Sequence, residues 1–384
     1  MYGGKPLLTD CVNGGNVCEK SYVDDIWLFD ATSGSWNQTW NDTRQSVGPT
    51  SQAFKGDSAS FPPHAFTTLP NNDIMLFGGL STTSAWIYSL SNETWAQLQS
   101  YPEKRESHAM CSLGIGNGAL LFGGINKENE YLDDVWRFSL DINKEDQEGY
   151  TWIRRNSGIS ARFNHAMSFL SSKKTVVFGG IAKSEYTILV QSDTWIFSDS
   201  HAGGTWTELN IKGPPKRQQH AMATLVSGSV LLHGGGAEIN SAYAGCLADV
   251  WKFEPDTSAG GLWTELKDSS APPALCGHAM TNLDLTIGKV MLFGGLNVDF
   301  QAGKPKQIFF DSTWIFNTSS LSDEQWIEIH TKNKPSARAN HAMASFNSHG
   351  RTIMYGGVGT PDDHDTCRSD TCVSKNYKSD TWYF

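Results

Sequence analysis

Residues able to do chemistry recur in this chain at fixed spacing. A histidine opens the triplet His-Ala-Met or a close variant six times, at His64, His108, His165, His220, His278 and His341. Imidazole is a metal ligand and a proton carrier near neutral pH. Four arginines, Arg105, Arg162, Arg217 and Arg338, each stand three residues before one of these histidines. The corresponding positions in the other two triplets hold Phe61 and Leu275. Seven cysteines and an acidic run, Asp362-Asp363-His364-Asp365, complete the reactive inventory. The run has the oxygen donors of a cation site, and its plain alternative is a solvated loop. A catalytic histidine is not copied six times. The expectation is therefore structural histidines bonded to neighbouring backbone. No Gly-rich phosphate loop, nucleophile elbow or His-Glu-x-x-His is present.

The elements that must position these residues are short and repeated. Residues 160–209 contain ARFNHAMSFL, KTVVFGG, SDTWIF and GTWTEL, separated by Gly, Ser, Lys or Asp. Short apolar or alternating runs bounded by such residues are strands and turns. The same four strands, a to d, recur along the chain. Strand a carries the His triplet. Strand b ends in a glycine doublet: Gly3-Gly4, Gly78-Gly79, Gly123-Gly124, Gly179-Gly180, Gly234-Gly235, Gly294-Gly295 and Gly356-Gly357. Strand c holds Trp27, Trp86, Trp136, Trp195, Trp251, Trp314 and Trp382. Strand d opens with Trp36, Trp95, Trp152, Trp206, Trp263 and Trp326. Of the 14 tryptophans only Trp40 stands outside these two series, so one supersecondary unit has been copied.

A glycine doublet closing a strand, followed by two spaced tryptophans at a period of roughly 50 residues, resembles the kelch repeat. The resemblance covers essentially the whole chain. It implies an all-β fold, a seven-bladed kelch β-propeller with each repeat a four-stranded blade around a central channel. The blades fall near 1–40, 61–98, 105–155, 162–209, 217–266, 275–329 and 338–384, forming one domain. Stacked blades bury the faces that one blade cannot bury alone. The opening Met1-Tyr2-Gly3-Gly4 repeats Met354-Tyr355-Gly356-Gly357, and the chain ends at Trp382-Tyr383-Phe384. The first blade thus lacks strand a and the last lacks strand d. The expectation is adjacent gaps, empty or filled from outside this numbering, in a segment of a longer polypeptide.

In such a blade the b–c and d–a loops share one face. The b–c loops at 5–25, 236–248, 296–312 and 358–379 are long, and that at 80–85 is short. Long loops on a rigid scaffold concentrate function, so a raised wall over blades 5, 6, 7 and 1 is the expected working surface. Six cysteines lie on that face: Cys11, Cys18, Cys246, Cys276, Cys367 and Cys372. Cys246–Cys276 is an expected disulfide, as are Cys11–Cys18 and Cys367–Cys372, with cross-pairing between the last two loops as the alternative. A four-cysteine zinc site in those loops is a further alternative. Cys111 is expected as a buried free thiol. Sequons occur at Asn37, Asn41, Asn92 and Asn317, all read as turns or strand ends outside strands a and b. Together these features fit an oxidising, extracellular setting, against a cytosolic alternative with free thiols.

The arginines carry two readings. In kelch propellers that bind peptides, arginines near this place contact acidic ligands, so Arg105, Arg162, Arg217 and Arg338 are a possible ligand face. Asp25, Asp134, Asp193, Asp249 and Asp380 open strand c at the same end of the blade, so internal ion pairs are the competing reading. The resemblance extends to galactose-oxidase-like propellers, whose copper site needs two tyrosines, two histidines and a Tyr–Cys cross-link. The other histidines, His201, His233, His330, His349 and His364, do not pair with tyrosines in that pattern. The repeated Met and Trp residues read as core.

Net charge is -10, which disfavours a nucleic-acid partner, and no apolar run is long enough to span a membrane. There is no secretory leader pattern at the first residues. The reading is a secreted, glycosylated, non-catalytic binding or scaffold module without a cofactor. It meets a protein partner, another copy of itself or a glycan through the long-loop face. The runner-up is a carbohydrate-active or oxidase enzyme at the channel mouth.

Overall fold

The computed structural model describes residues 21–22, 25–40, 49, 64–78, 85–98, 102–114, 117–140, 150–170, 174–183, 187–237, 245–255, 260–284, 288–301, 304–318, 324–346 and 350–359. The described residues are all strand, turn and loop, as the kelch resemblance implied. Six antiparallel four-stranded sheets form a ring. Five are built each from one repeat in the order a-b-c-d, for example Ala221–Thr224, Val230–His233, Val250–Glu254 and Leu262–Leu266. Their inner strands follow one another around the axis, from Ala65–Thr68 through Ala109–Ser112, Ala166–Phe169, Ala221–Thr224 and Ala279–Asp284 to Ala342–Phe346. This last strand lies against the first.

The sixth sheet corrects two expectations. Strand c of the first repeat, Ile26–Asp30, pairs with strand b of the last, Arg351–Tyr355. Its partners include Trp27 with Met354 and Leu28 with Ile353. Ser35–Trp40 then adds as the outer strand. The first and last repeats together make one sheet, so the described residues form six four-stranded sheets where seven blades were expected. The place of the missing outer strand is filled from within this numbering. The physical reason is the open edge of Arg351–Tyr355, whose backbone groups need a partner that the hairpin of the first repeat supplies. Trp36 seals the joint: its indole donates to Thr313 Oγ1 at 3.0 Å and packs edge-on to Phe293 of the preceding sheet.

Between successive sheets the core is aromatic and repeats. The residue before each glycine doublet meets the next sheet's histidine, as in Phe122–His165 at 4.9 Å and Phe293–His341 at 5.4 Å between ring centroids. The first glycine of five doublets, Gly78, Gly123, Gly179, Gly234 and Gly294, sits beneath that histidine. At Gly294 (φ +65°) a Cβ would lie 2.5 Å from the Arg338 carbonyl oxygen and 2.9 Å from the His341 ring. Left-handed backbone and the close approach together demand glycine there. The five methionines of the His triplets are core, as expected, each in a different inter-sheet cluster. They also have a second position: with Phe66 they line one cavity on the axis.

Candidate binding face

Among the described residues the b–c and d–a loops emerge on one face of the ring, and its base is built from the arginines and aspartates singled out above. Arg105 binds Asp134 through both terminal nitrogens, Arg162 binds Asp193, Arg217 binds Asp249 and Arg338 binds Asp25. Each guanidinium also donates to the carbonyl of a doublet glycine, for example Arg217 to Gly234 at 2.8 Å. Each aspartate accepts the indole N–H of the tryptophan two residues on, as Asp193 does from Trp195 at 2.7 Å. The four arginine residues are 0–1% exposed. The ligand-contacting role is corrected for these four, because their donors are spent inward on carboxylate and backbone. Burial pushes the Asp134 and Asp249 carboxyls up, but the bonded arginine pulls them further down, so both stay below the ordinary carboxylate value. Where the arginine is replaced by Leu275, the aspartate is replaced by Ser312, so no buried charge is left alone. The Trp314 indole N–H there has no hydrogen-bond partner among the described residues.

The six triplet histidines stand at equivalent positions just before the inner strands. Five are 6–7% exposed. His64 Nε2 lies 3.2 Å from the Tyr355 carbonyl of the neighbouring sheet. Burial pushes His108 and His220 down to about 3, aided by the adjacent arginines. They are neutral structural groups. His233 stands where other repeats have Phe, with its Nδ1 3.2 Å from His278 Nε2. Among the described residues no group of three or more His, Cys, Asp or Glu has the geometry of a metal site.

At the channel mouth the described residues form an arc of backbone bonds that sequence reading did not find. Asn164 N–H donates to Ser107 O, Gln219 to Asn164, Gly277 to Gln219 and Asn340 to Gly277, at 2.7–3.0 Å. All five residues have φ between +54° and +62°. Asn and Gly tolerate this conformation, but Ser and Gln do so only under restraint, which the run of bonds supplies. The signal was present in the residue before each histidine, but it has no uniform identity.

Beside this arc, three residues that follow the arginine position, Phe163, Gln218 and Cys276, reach back to the preceding blade. Phe163 packs edge-on against Tyr131 at 4.9 Å. Gln218 accepts from Asn164 Nδ2 at 2.9 Å. Cys276 is disulfide-bonded to Cys246, with a Cα–Cα distance of 5.6 Å. Two b–c loops extend the face as hairpins. Ile181–Lys183 pairs with Ile188–Val190 and with Arg162–Phe163, and Leu296–Gln301 pairs with Lys304–Phe309. The backbone N–H of Cys246 donates to Asn297 Oδ1, tying the disulfide loop to the second hairpin. Leu189 is 56% exposed and Ile308 40% exposed on these hairpins. The hairpin at 181–190 was not among the long loops named from sequence. Next in the chain to the closing sheet, Ser21–Tyr22, Val358–Gly359 and Arg338–Ala339 form a separate three-stranded sheet, so the described ends of the first and last b–c loops meet there.

Other expected sites fall as follows. Cys111 is a buried free thiol, pushed up to about 12 by burial. Asn92 lies in an exposed turn and Asn317 at a strand end, half-buried. Asn37 is exposed within the outer strand Ser35–Trp40, a correction to its reading as a turn or strand end. Asn41, Cys11, Cys18, Cys367, Cys372, Asp380 and the acidic run 362–365 lie outside the described residues.

Comparison with known proteins places this geometry. The KLHDC2/KLHL20/DRC7 Kelch-repeats domain matches residues 63–295. An F-box/kelch-repeat protein of Arabidopsis thaliana is 28% identical over 272 residues, covering 67% of this chain and 52% of that protein. Adagio protein 3 of the same plant is 26% identical over 255 residues, 63% of this chain and 37% of that protein. Human multiple epidermal growth factor-like domains protein 8 is 27% identical over 233 residues, 58% of this chain and 7% of that protein. The chain thus spans about half the length, or less, of these relatives. The solved structure of YjhT superposes with a TM-score of 0.57 at 14% identity, over 79% of this chain and 96% of that one, and shares the fold. With its matched domain covering more than half the sequence, this chain belongs to the kelch-repeat family.

Proposed function

We propose that this chain is a secreted, N-glycosylated, non-catalytic module that binds a protein partner on the b–c and d–a loop face. The observation that carries the reading is the pair of added hairpins at 181–190 and 296–309. They lift Leu189 and Ile308 into solvent from a base stiffened by the Arg–Asp pairs and the Cys246–Cys276 bond. Exposed apolar side chains on rigid supports are the anchors a protein interface uses. The wall extends to the b–c loops at 5–25 and 358–379, whose described ends pair in the small three-stranded sheet. A disulfide between loops and exposed sequons at Asn37 and Asn92 support the extracellular setting. Asn92 lies in a c–d turn on the opposite face, so sugar there leaves the wall open.

The test is secretion of the chain from eukaryotic cells, with glycan mapping, followed by quantitative capture from the medium. Wild type is compared with Leu189→Asp/Ile308→Asp and with Ile153→Asp/Leu262→Asp on the outer strands. The reading expects glycan at Asn92 and partners lost only from the hairpin variant. Equal capture by both variants overturns the assigned face, and unoccupied sequons overturn the glycosylated setting.

A further inference from the structure

One a–b hairpin, on the face opposite the binding face, brings an arginine onto a chemically labile peptide. It joins Ala109–Ser112 to Ala119–Phe122 and contains Asn117-Gly118. Leu113 N–H donates to Gly118 O at 2.8 Å, and Asn117 N–H donates to Gly114 O at 3.1 Å. Gly118 has φ +87°, and a Cβ there would run into the Phe138 carbonyl oxygen, so the fold demands glycine after Asn117. The Asn117 carbonyl oxygen accepts two hydrogen bonds from one guanidinium, from Arg137 Nη2 at 2.9 Å and Nε at 3.2 Å. Arg137 also binds Asp199, whose carboxylate Arg155 shares at 2.9 Å. That carboxylate is buried and both arginines are mostly so. Asn117 itself is half-buried, so water reaches it.

Asparagine is a thermolabile side chain, because the next residue's backbone nitrogen can attack its carboxamide. Here that nitrogen is Gly118 N, and glycine places no side chain in the path. The nitrogen shares its peptide unit with the carbonyl that Arg137 holds. Negative charge that develops on the nitrogen as its proton leaves spreads onto the same oxygen, where the cationic donor stabilises it. We propose that Asn117 is a self-modifying site, deamidated in the folded chain with the help of Arg137. Gly118 N bonds to Asn117 Cγ, the Cγ–Nδ2 bond breaks, and ammonia leaves with the proton from Gly118 N. Water then opens the succinimide at either carbonyl, giving aspartate or isoaspartate. The new carboxylate forms beside two arginines that share one aspartate, so its charge is met. The site is independent of the partner-binding face.

The test incubates the whole folded chain at mildly alkaline pH and follows Asn117 by peptide mapping with mass spectrometry that separates aspartate from isoaspartate. Asn13-Gly14 is the other Asn-Gly pair in the sequence and serves as the internal reference. The expected result is accumulation of both acids at Asn117. Arg137→Gln should slow this about tenfold, the loss of a charged hydrogen-bond donor, and leave the rate at Asn13 unchanged. If that variant fails to fold, the wild-type chain decides, folded against unfolded in urea. Unfolding parts Arg137 from Asn117, so the folded chain should react faster at Asn117. Three results overturn the site. One is an Asn117 that stays intact in the folded chain. Another is an equal rate in folded Arg137→Gln, and the third is faster reaction at Asn117 in urea.

Discussion

Arg338 and Asp25 are 313 residues apart in the chain, yet the arginine's Nη2 donates to Asp25 Oδ2 at 3.0 Å while Nη1 holds the other carboxylate oxygen. In the other three pairs both partners come from one repeat, 29–32 residues apart. The same bond that stiffens a blade elsewhere therefore closes the ring here. Asp25→Ala strips Arg338 of its charge partner in a site where the arginine side chain is fully buried. The expected loss is about 3 kcal/mol in urea unfolding, and Arg338→Met/Asp25→Leu should cost less than Asp25→Ala alone. A loss under ~1 kcal/mol for the single variant would mean that the closure does not depend on this pair.

Two glycines of nearly equal φ separate conformational from steric need. A methyl added at Gly34 (φ +61°) would have nothing within 4 Å, whereas one added at Gly294 (φ +65°) would meet the Arg338 carbonyl oxygen at 2.5 Å. Gly34→Ala should cost only the left-handed penalty of about 1 kcal/mol. Gly294→Ala must also push apart two sheets, and should cost at least about twice as much. Thermal melts of both variants make the comparison, and equal losses would contradict the packing role of the doublets.

The bond between Cys246 and Cys276 bridges 30 residues and performs covalently what Tyr131–Phe163 performs by ring contact. Cys246→Ser/Cys276→Ser should lower stability by about 3 kcal/mol on the chain-entropy account. Hydrogen exchange should rise first in 245–249. Unchanged exchange there would show that the loop is held by Asn297 and the backbone instead.

Acid should destabilise this fold well before its carboxylates titrate. His108 and His220 are held near 3 and His233 near 4, and His165, His278 and His341 lie well below 6.5, all chiefly through burial. The native state keeps these rings neutral, while the unfolded chain protonates them below pH 6.5. Their effect on stability is thus flat above about 6.5 and becomes a growing loss as pH falls toward 4, at ~1 kcal/mol per pH unit for each proton. Glu106, raised to about 7 by burial, acts in the opposite sense: its native carboxyl holds a proton that the unfolded chain gives up between pH 4.5 and 7. One such group does not offset six. Urea midpoints should drop sharply from pH 7.5 to pH 5, and a constant midpoint would contradict buried neutral histidines.

The strands and their order were legible because each repeats the same pattern: glycine doublets need positive φ and tryptophans need a neighbour to cover them. The Asp–Arg pairing was legible as one of two readings, since both residues recur at one end of the blade. The count of sheets was not legible. Gly3-Gly4 and Gly356-Gly357 carry the same local signal, and nothing local says that Trp27 will pair beside Met354. The arc of bonds at the mouth was hidden because Ser107, Asn164, Gln219, Gly277 and Asn340 share a backbone conformation and no side-chain type. The hairpin at 181–190 escapes a reading of the sequence because it has no glycine turn to mark it.

Hydrogen–deuterium exchange on the secreted chain, alone and in complex with a partner captured by wild type and lost by Leu189→Asp/Ile308→Asp, tests the binding face most directly. The account predicts slowed exchange at Ile181–Lys183, Ile188–Val190, Leu296–Gln301 and Lys304–Phe309. It predicts no change at the outer strands Tyr150–Arg155 and Leu262–Leu266. Protection confined to the outer strands or to the a–b hairpins would contradict it.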